Sequence, residues 1–400
     1  MKKDKYAIDV DSFPNELQLL LLFLKLDNFP KENEKMLEEH QHLFAAANWD
    51  HFIKLADHHH LYPVLYHKLK SVKEKWVPSI VVRALQMRYQ NNTLKILYLC
   101  GEMDRVAKAF HEHNIRSLHL KGPILAHELY GDISMRKSKD LDILVPKEDL
   151  ERTEQMLFEL GYEKDEANTV LNEVKWREHH FEYHHKERKT SVEIHWRLSP
   201  FPAKEPSFED LWARKNESKL TSVPVYYPGD KDLFLYLISH GARHGWFRLK
   251  WLYDIHRCAD QMQSPDKLLR KNDFKNMILV GQALILAHQL FQTPLSANMM
   301  KQLKLGSYKL AHQALIYITS ILVLTPLPEH IRTKHERYLF ALNGTISQKY
   351  LALLIVLFYP SPRDEALIKL PKYLHGLYFV LRPFLVVVRK LRKNKAFEGV

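Results

Sequence analysis

Asp140-Leu141-Asp142-Ile143-Leu144-Val145-Pro146 reads as one short strand with a stop. Leu141, Ile143 and Val145 alternate with Asp140, Asp142 and Leu144, and proline cannot continue a sheet ladder. Alternate strand residues project to the same face, so the two carboxylates point one way. Working outward, Pro146 opens a helix predicted over 148–160, which Gly161 closes as a C-cap. Upstream, Ile115-Arg116-Ser117-Leu118-His119-Leu120 alternates as a strand does. Lys121-Gly122-Pro123 ends it, and a short helix follows over 124–130. Downstream, Phe181–His184 and Ser191–Trp196 read as two more strands across the charged turn Lys186-Glu187-Arg188-Lys189.

The block 114–200 is therefore a small mixed α/β unit, and the Pro-rich stretch Pro200–Pro206 leads away from it. Helical spacing dominates on both sides. Before it, Trp49, Phe52, Leu55 and Ala56 fall on one helical face. So, farther on, do Ile80, Leu85, Leu94, Leu97, Met103, Val106, Ala107 and Phe110. From Asp230 onward the chain again reads as helix. The expected fold is α+β: a small mixed sheet flanked by N-terminal and C-terminal helical regions. Its expected parts are 1–113, 114–200, 201–340, and a C-terminal helical segment, 341–400, with a basic tail.

Composition removes several function classes. The chain has 400 residues with 46% hydrophobic content, ordinary for a globular protein. Its 12 glycines are scattered, and none lies in a GxGxxG, GxxxxGK[ST] or GxSxG pattern. That excludes the usual dinucleotide fingerprint, the P-loop and the nucleophile elbow. Cys100 and Cys258 form no CxxC pair, so a reducing, cytoplasmic setting is expected. The start of the chain is too acidic for a signal peptide. No apolar run reaches the ~20 residues of a membrane span. Lys and Arg exceed Asp and Glu by 59 to 47, net +12, which favours phosphate-bearing partners.

Two carboxylates side by side repel each other, and a divalent cation relieves the repulsion. Mg²⁺ prefers such hard oxygen ligands together with substrate phosphates. Glu193, in Val192-Glu193-Ile194, is the best-placed third carboxylate for a two-metal site. Taken alone, a D-x-D is also common at solvated strand ends.

The neighbours of that D-x-D carry a resemblance. Leu118-His119-Leu120-Lys121-Gly122-Pro123, then Tyr130, Arg136 and Lys139-Asp140-Leu141-Asp142-Ile143-Leu144-Val145, resembles the polymerase-beta-like nucleotidyltransferase superfamily. There a strand, a glycine turn and a helix precede a strand bearing D-x-D. It is more closely similar to a bacterial family, the uncharacterised nucleotidyltransferases. That family's pattern is LKG, a tyrosine, an arginine, DxDhhV and a helix ending in GY, here Leu160-Gly161-Tyr162. Val192-Glu193-Ile194-His195-Trp196, His240-Gly241, Arg248–Ile255 and Leu377-Tyr378…Leu381-Arg382-Pro383 resemble its later segments.

The resemblance implies transfer of a nucleoside monophosphate from an NTP, such as ATP, to an unknown small-molecule, glycan or macromolecular acceptor, with pyrophosphate release. It implies that Asp140, Asp142 and Glu193 are catalytic and hold two Mg²⁺ ions. Lys121, Gly122 and Arg136 would bind the nucleotide, with Gly122 letting the backbone approach the triphosphate and Arg136 clamping phosphate or orienting an aspartate. Lys139, His195, His240 and Arg248 are accessory candidates. The turn departs from the superfamily's Gly-Ser or Gly-Gly, the interval from Gly122 to Asp140 is long, and the third acid is Glu where many relatives have Asp. An altered turn would also suit a catalytically degenerate nucleotide-binding or membrane-surface module.

Other signals are weaker. His58-His59-His60 beside Asp57 suits a solvated or capping role. His240 and His244 have the i, i+4 spacing of zinc ligands, but Gly241 stands where the glutamate of HExxH would be. A better reading sets His240, Arg243, Arg248 and Lys250 on a phosphate- or acceptor-binding face opposite the acids. His195 shares the strand face of Glu193, and Trp196 faces the core. Residues 373–388 are apolar, interrupted by His375 and Arg382 and broken by Pro383, and Arg389, Lys390, Arg392, Lys393 and Lys395 follow. That order fits a packed helix with a solvated tail, or a peripheral contact with the inner membrane face. No sequence-specific nucleic-acid motif is present.

Overall fold

Five strands form the sheet that carries the acids. They are β1 (Leu118–His119), β2 (Asp140–Leu144), β3 (Glu163–Lys164), β4 (His180–His185) and β5 (Thr190–His195), in spatial order β1-β2-β5-β4-β3. The computed structural model describes residues 7–26, 30–165, 179–200, 205–262, 277–322, 327–343, 346–365 and 367–397. β2 and β5 run parallel, and the other pairs are antiparallel, so the sheet is mixed. With helices on both sides of it in sequence, the fold is α+β.

Register sorts the sheet into an apolar and an ionisable face. Asp142 pairs with Glu193, and His180 with His195. Strand alternation thus puts Asp140, Asp142, Glu193, His195, His180 and Glu182 on one face. Leu141, Ile143, Val192, Ile194 and Tyr183 take the other, and all are buried. Each fully buried aliphatic side chain there contributes about 1.5–3 kcal/mol relative to exposure. A one-residue slip of β5 would bury Glu193 and expose Val192 and Ile194, so burial itself fixes the register.

Some sequence expectations change. The strand read over 115–120 pairs only at Leu118–His119. The two-residue β3 at the sheet edge, and a separate hairpin of β6 (Asn216–Ser218) and β7 (Val225–Tyr227), carry too few residues to show periodicity. In the long helix Ser79–Glu112, Ile80, Leu94 and Leu97 are exposed, and the buried line is Val81, Leu85, Ile96, Leu99, Met103, Val106 and Phe110. Residues 201–204 of the Pro-rich stretch lie outside the described residues. Among the described residues, no helix is long and apolar enough to cross a membrane.

Candidate active site

The ionisable face of the sheet floors a cavity of about 420 Å³. Its lining includes every residue the sequence singled out for the site: Lys121, Gly122, Arg136, Lys139, Asp140, Asp142, Glu193, His195, His240 and Arg248. The opposite wall comes from the helices Asp230–Arg243 and Leu249–Gln261. Arg243, His244, Lys250 and Trp251 line it as well.

Gly122 makes the turn out of β1. Its φ of 85° with ψ of −149° is a backbone region that only glycine occupies at low cost. A Cβ there would make only ordinary contacts, 3.6 Å from the Asp140 carbonyl and 3.8 Å from Leu141. The demand for glycine is therefore conformational rather than spatial. Pro123 follows as the first residue of the helix Pro123–Tyr130, where its missing N–H is no loss, and the N–H groups of the first turn have no intrahelical partner. Gly122→Ala is expected to destabilise the fold by about 1–3 kcal/mol from this strain and to weaken nucleotide affinity. Thermal melts and nucleotide titration measure both, and an unchanged affinity would place the triphosphate elsewhere.

The acids are arranged unequally. Asp142 is almost fully buried, and Lys121 Nζ lies 2.8 Å from its Oδ1. His195 Nε2 sits 3.4 Å from the same Oδ1 and 3.2 Å from Glu193 Oε2. None of these contacts has hydrogen-bond alignment: Asp142 Oδ1 and both ring nitrogens of His195 are buried without a hydrogen-bond partner. Buried polar atoms are rarely left without a hydrogen bond; here the Lys121 ammonium balances Asp142 as an ion pair. Donor atoms of Asp142, Glu193 and His195 all lie within 4.8 Å of one another, so these side chains fit a divalent cation.

Charge separates the two aspartates further. Burial would raise the Asp142 carboxyl, but the Lys121 ammonium and then His195 hold it far below the usual carboxylate range. Asp140 is pushed up to about 6, first by burial and then by the Asp142 charge. Burial lowers His195, yet contacts with Asp142 and Glu193 outweigh it and leave the imidazole more basic than usual. Burial brings His180 down to about 4.

Arg136 does not stand free at the cavity. Its Nε donates to both oxygens of Asp254, at 3.1 and 3.0 Å, and Nη1 donates to Ser138 Oγ at 3.1 Å. Tyr130 also donates to Asp254, which is fully buried. One turn earlier on the same helix, Lys250 Nζ donates to the Lys137 carbonyl at 2.8 Å. The Leu249–Gln261 helix thus grips the segment 136–138 at two points just before β2, and this sets where Asp140 begins. Lys139, between grip and strand, is exposed at the mouth.

The His58-His59-His60 run corrects the solvated reading, since His58 and His59 are buried. His59 ends the helix Trp49–His58, and its ring and carbonyl accept from the N–H groups of Leu249 and Lys250. Arg248 donates to the His58 carbonyl. His60 lines the cavity beside Lys137. His240 and His244 pack against Trp251, with ring centroids 5.1 and 5.2 Å away, and join no three-ligand cluster among the described residues. Gly241 is small because the Trp246 indole lies on it: a Cβ there would stand 2.1 Å from the ring.

His179 and His180, at the entry to β4, were missed from the sequence. Both line the cavity next to His195. Nothing local flags them; only the antiparallel register of β4 on β5 brings them to the acids.

Comparison with known proteins adds one finding. A family model described as an uncharacterised nucleotidyltransferase matches residues 45–292, which span the sheet, the cavity and both helices of its far wall. No curated protein and no solved structure matches the chain.

Proposed function

Because this chain belongs to the uncharacterised nucleotidyltransferase family, we propose that it moves a nucleoside monophosphate from an NTP to an acceptor group in a Mg²⁺-dependent reaction that releases pyrophosphate. The observation that carries the reading is the face shared by Asp140, Asp142 and Glu193, with Asp142 Oδ1 and the His195 nitrogens buried there without a hydrogen bond. Asp140, Asp142 and Glu193 would hold Mg²⁺, which when bound offsets phosphate charge and makes the attacking oxygen more acidic. The Gly122 turn receives the triphosphate through backbone N–H groups. Lys121 adds positive charge beside that turn, and Lys139 adds it at the mouth. Arg136, gripped by Asp254, lines the cavity and would offer a phosphate the guanidinium N–H groups not given to Asp254 and Ser138. His195 Nε2 is placed to take the acceptor's proton, with Glu193 and Asp142 stabilising the resulting imidazolium. His240, Arg243, Arg248 and Lys250 form the wall that an acceptor would meet.

The test is incubation with each labelled NTP, Mg²⁺ and a cell extract, followed for pyrophosphate release and a labelled adduct. Metal-dependent NTP binding without any adduct across many acceptors would favour the binding module. Absence of metal-dependent NTP binding would sink the reading.

A second reading concerns where the enzyme works. On the helix Leu377–Phe397, the residues Leu377, Val380, Phe384 and Val387 form an exposed apolar stripe. On the adjoining helix Ile346–Phe358, so do Ile346, Tyr350, Leu354 and Leu357. Basic residues Lys390, Arg392, Lys393 and Lys395 follow in the sequence. An apolar stripe ending in cations suits the surface of an anionic bilayer. The full chain is expected to sediment with vesicles containing anionic lipid, and Phe384→Glu to weaken that binding about 10-fold or more. Equal binding to zwitterionic vesicles, or concentration-dependent self-association that Phe384→Glu abolishes, would count against it.

A further inference from the structure

Beyond the carboxylates, the cavity floor holds three imidazoles. His179 and His180 enter β4, and His195 ends β5. Their ligating nitrogens lie within 4.8 Å of one another. The His180 and His195 rings stack, with centroids 4.9 Å apart, and His179 meets His180 edge-on at 4.5 Å. His195 is 3% exposed and neither of its nitrogens makes a hydrogen bond; His180 Nδ1 is also buried and unpartnered. Glu193 Oε2 lies 3.2 Å from His195 Nε2 and 3.9 Å from His180 Nε2. In a tetrahedron with bonds of 2.0–2.1 Å, neighbouring donors stand about 3.3 Å apart. The three imidazoles thus gather within reach of a single ion, while Glu193 groups with Asp142 and His195 beside them.

Among the described residues, the histidine-bearing cluster of Asp165, Glu182 and His184, nearer the surface, differs. His184 gives Nδ1 to a contact with Ser191 Oγ at 2.8 Å and Nε2 to one with Asp165 Oδ2 at 2.9 Å, so its nitrogens are already used. At His179, His180 and His195 the donors converge, and His180 Nδ1 and both His195 nitrogens make no hydrogen bond.

We propose that His179, His180 and His195 form a binding site for one borderline transition-metal dication of the Zn²⁺ class, with the remaining position open to water. The choice of ion follows from the donors. Imidazole nitrogen suits zinc and its neighbours, whereas Mg²⁺ prefers oxygen and retains its water. Asp140 offers no atom to the imidazole cluster. The site shares His195 with the proposed transfer machinery, so a dication bound through that ring and proton transfer to it are alternatives, but metal binding does not depend on the identity of the nucleotide or on turnover. A dication held here would also fix the His195 ring.

The experiment uses the full chain, stripped of metal by chelation and titrated with Co²⁺ in the presence of excess Mg²⁺. The expected result is one equivalent of Co²⁺ with a visible absorption band of a nitrogen-rich, low-coordinate site, displaced by Zn²⁺ and not by Mg²⁺. His179→Asn and His180→Asn together should weaken Co²⁺ binding by more than ~100-fold, since even losing a group behind a ligand costs up to that much. Asp140→Asn should keep the band. Circular dichroism checks that each variant is folded, and His180→Gln alone serves if the double variant is not. A band that survives the histidine changes, or one that Mg²⁺ displaces, overturns the proposal. Failure here leaves Mg²⁺-dependent NTP binding intact, whereas failure of the nucleotidyltransferase reading would leave the Co²⁺ band intact.

Discussion

Asp140→Asn is expected to lower Mg²⁺-dependent nucleotidyl transfer on the order of 10²–10³-fold while leaving thermal stability equal or higher. The two effects have one cause. Asp140 is half-buried beside Asp142, and its carboxyl is pushed up to about 6, first by desolvation and then by its neighbour's charge. The folded chain therefore holds this proton more tightly than the unfolded chain does. Between the ordinary carboxylate value of about 4 and about 6, the folded state binds the extra proton, so this group's contribution to stability falls as pH rises through that window. Above it, the ionised carboxylate is a burden on the metal-free fold that asparagine removes without changing volume. Cation binding needs the same carboxylate ionised. In the native protein, Mg²⁺-dependent nucleotide affinity should weaken as pH drops below about 6, and Asp140→Asn should abolish that dependence. Calorimetric melts without metal, and nucleotide titrations across pH, read the two limbs separately. Full turnover in Asp140→Asn, or a marked fall in its melting temperature, would remove Asp140 from the proposed metal site.

How much of this was legible depends on whether a signal was local. Alternation around Asp142 and Glu193 is local, and it places the strands, the shared carboxylate face and the buried Val192 and Ile194. The segment Arg248–Ile255 carried the family resemblance without a reason. The reason is non-local: Lys250 and Asp254, one turn apart, hold Lys137 and Arg136 from across the cavity. The same holds for His179 and His180, whose partner His195 is reached only through strand pairing. In the helix Ser79–Glu112, a 34-residue span offers more than one apolar line, and exposed Ile80, Leu94 and Leu97 fitted a spacing that the fold does not use. His58 and His59 looked like surface residues because nothing nearby in sequence shows the helix N-terminus they meet.

Asp254→Ala should destabilise the chain by about 3–5 kcal/mol, because it strands a buried guanidinium with no counter-charge. Arg136 is 3% exposed and Asp254 fully buried, and the carboxylate accepts from Arg136 and from Tyr130. Replacing both ends by apolar residues, Arg136→Met with Asp254→Leu, removes both desolvation costs and is expected to recover most of that stability. A double-mutant cycle of melts measures the coupling, and near-additive losses would mean the pair is not a unit. Function then divides the roles of Arg136. If it serves only to grip the segment before β2, the restored double variant should regain nucleotide affinity along with stability. If, as proposed, its guanidinium also meets phosphate, stability returns and affinity does not. The split arises because a methionine can fill the wall of the cavity but cannot donate to an anion.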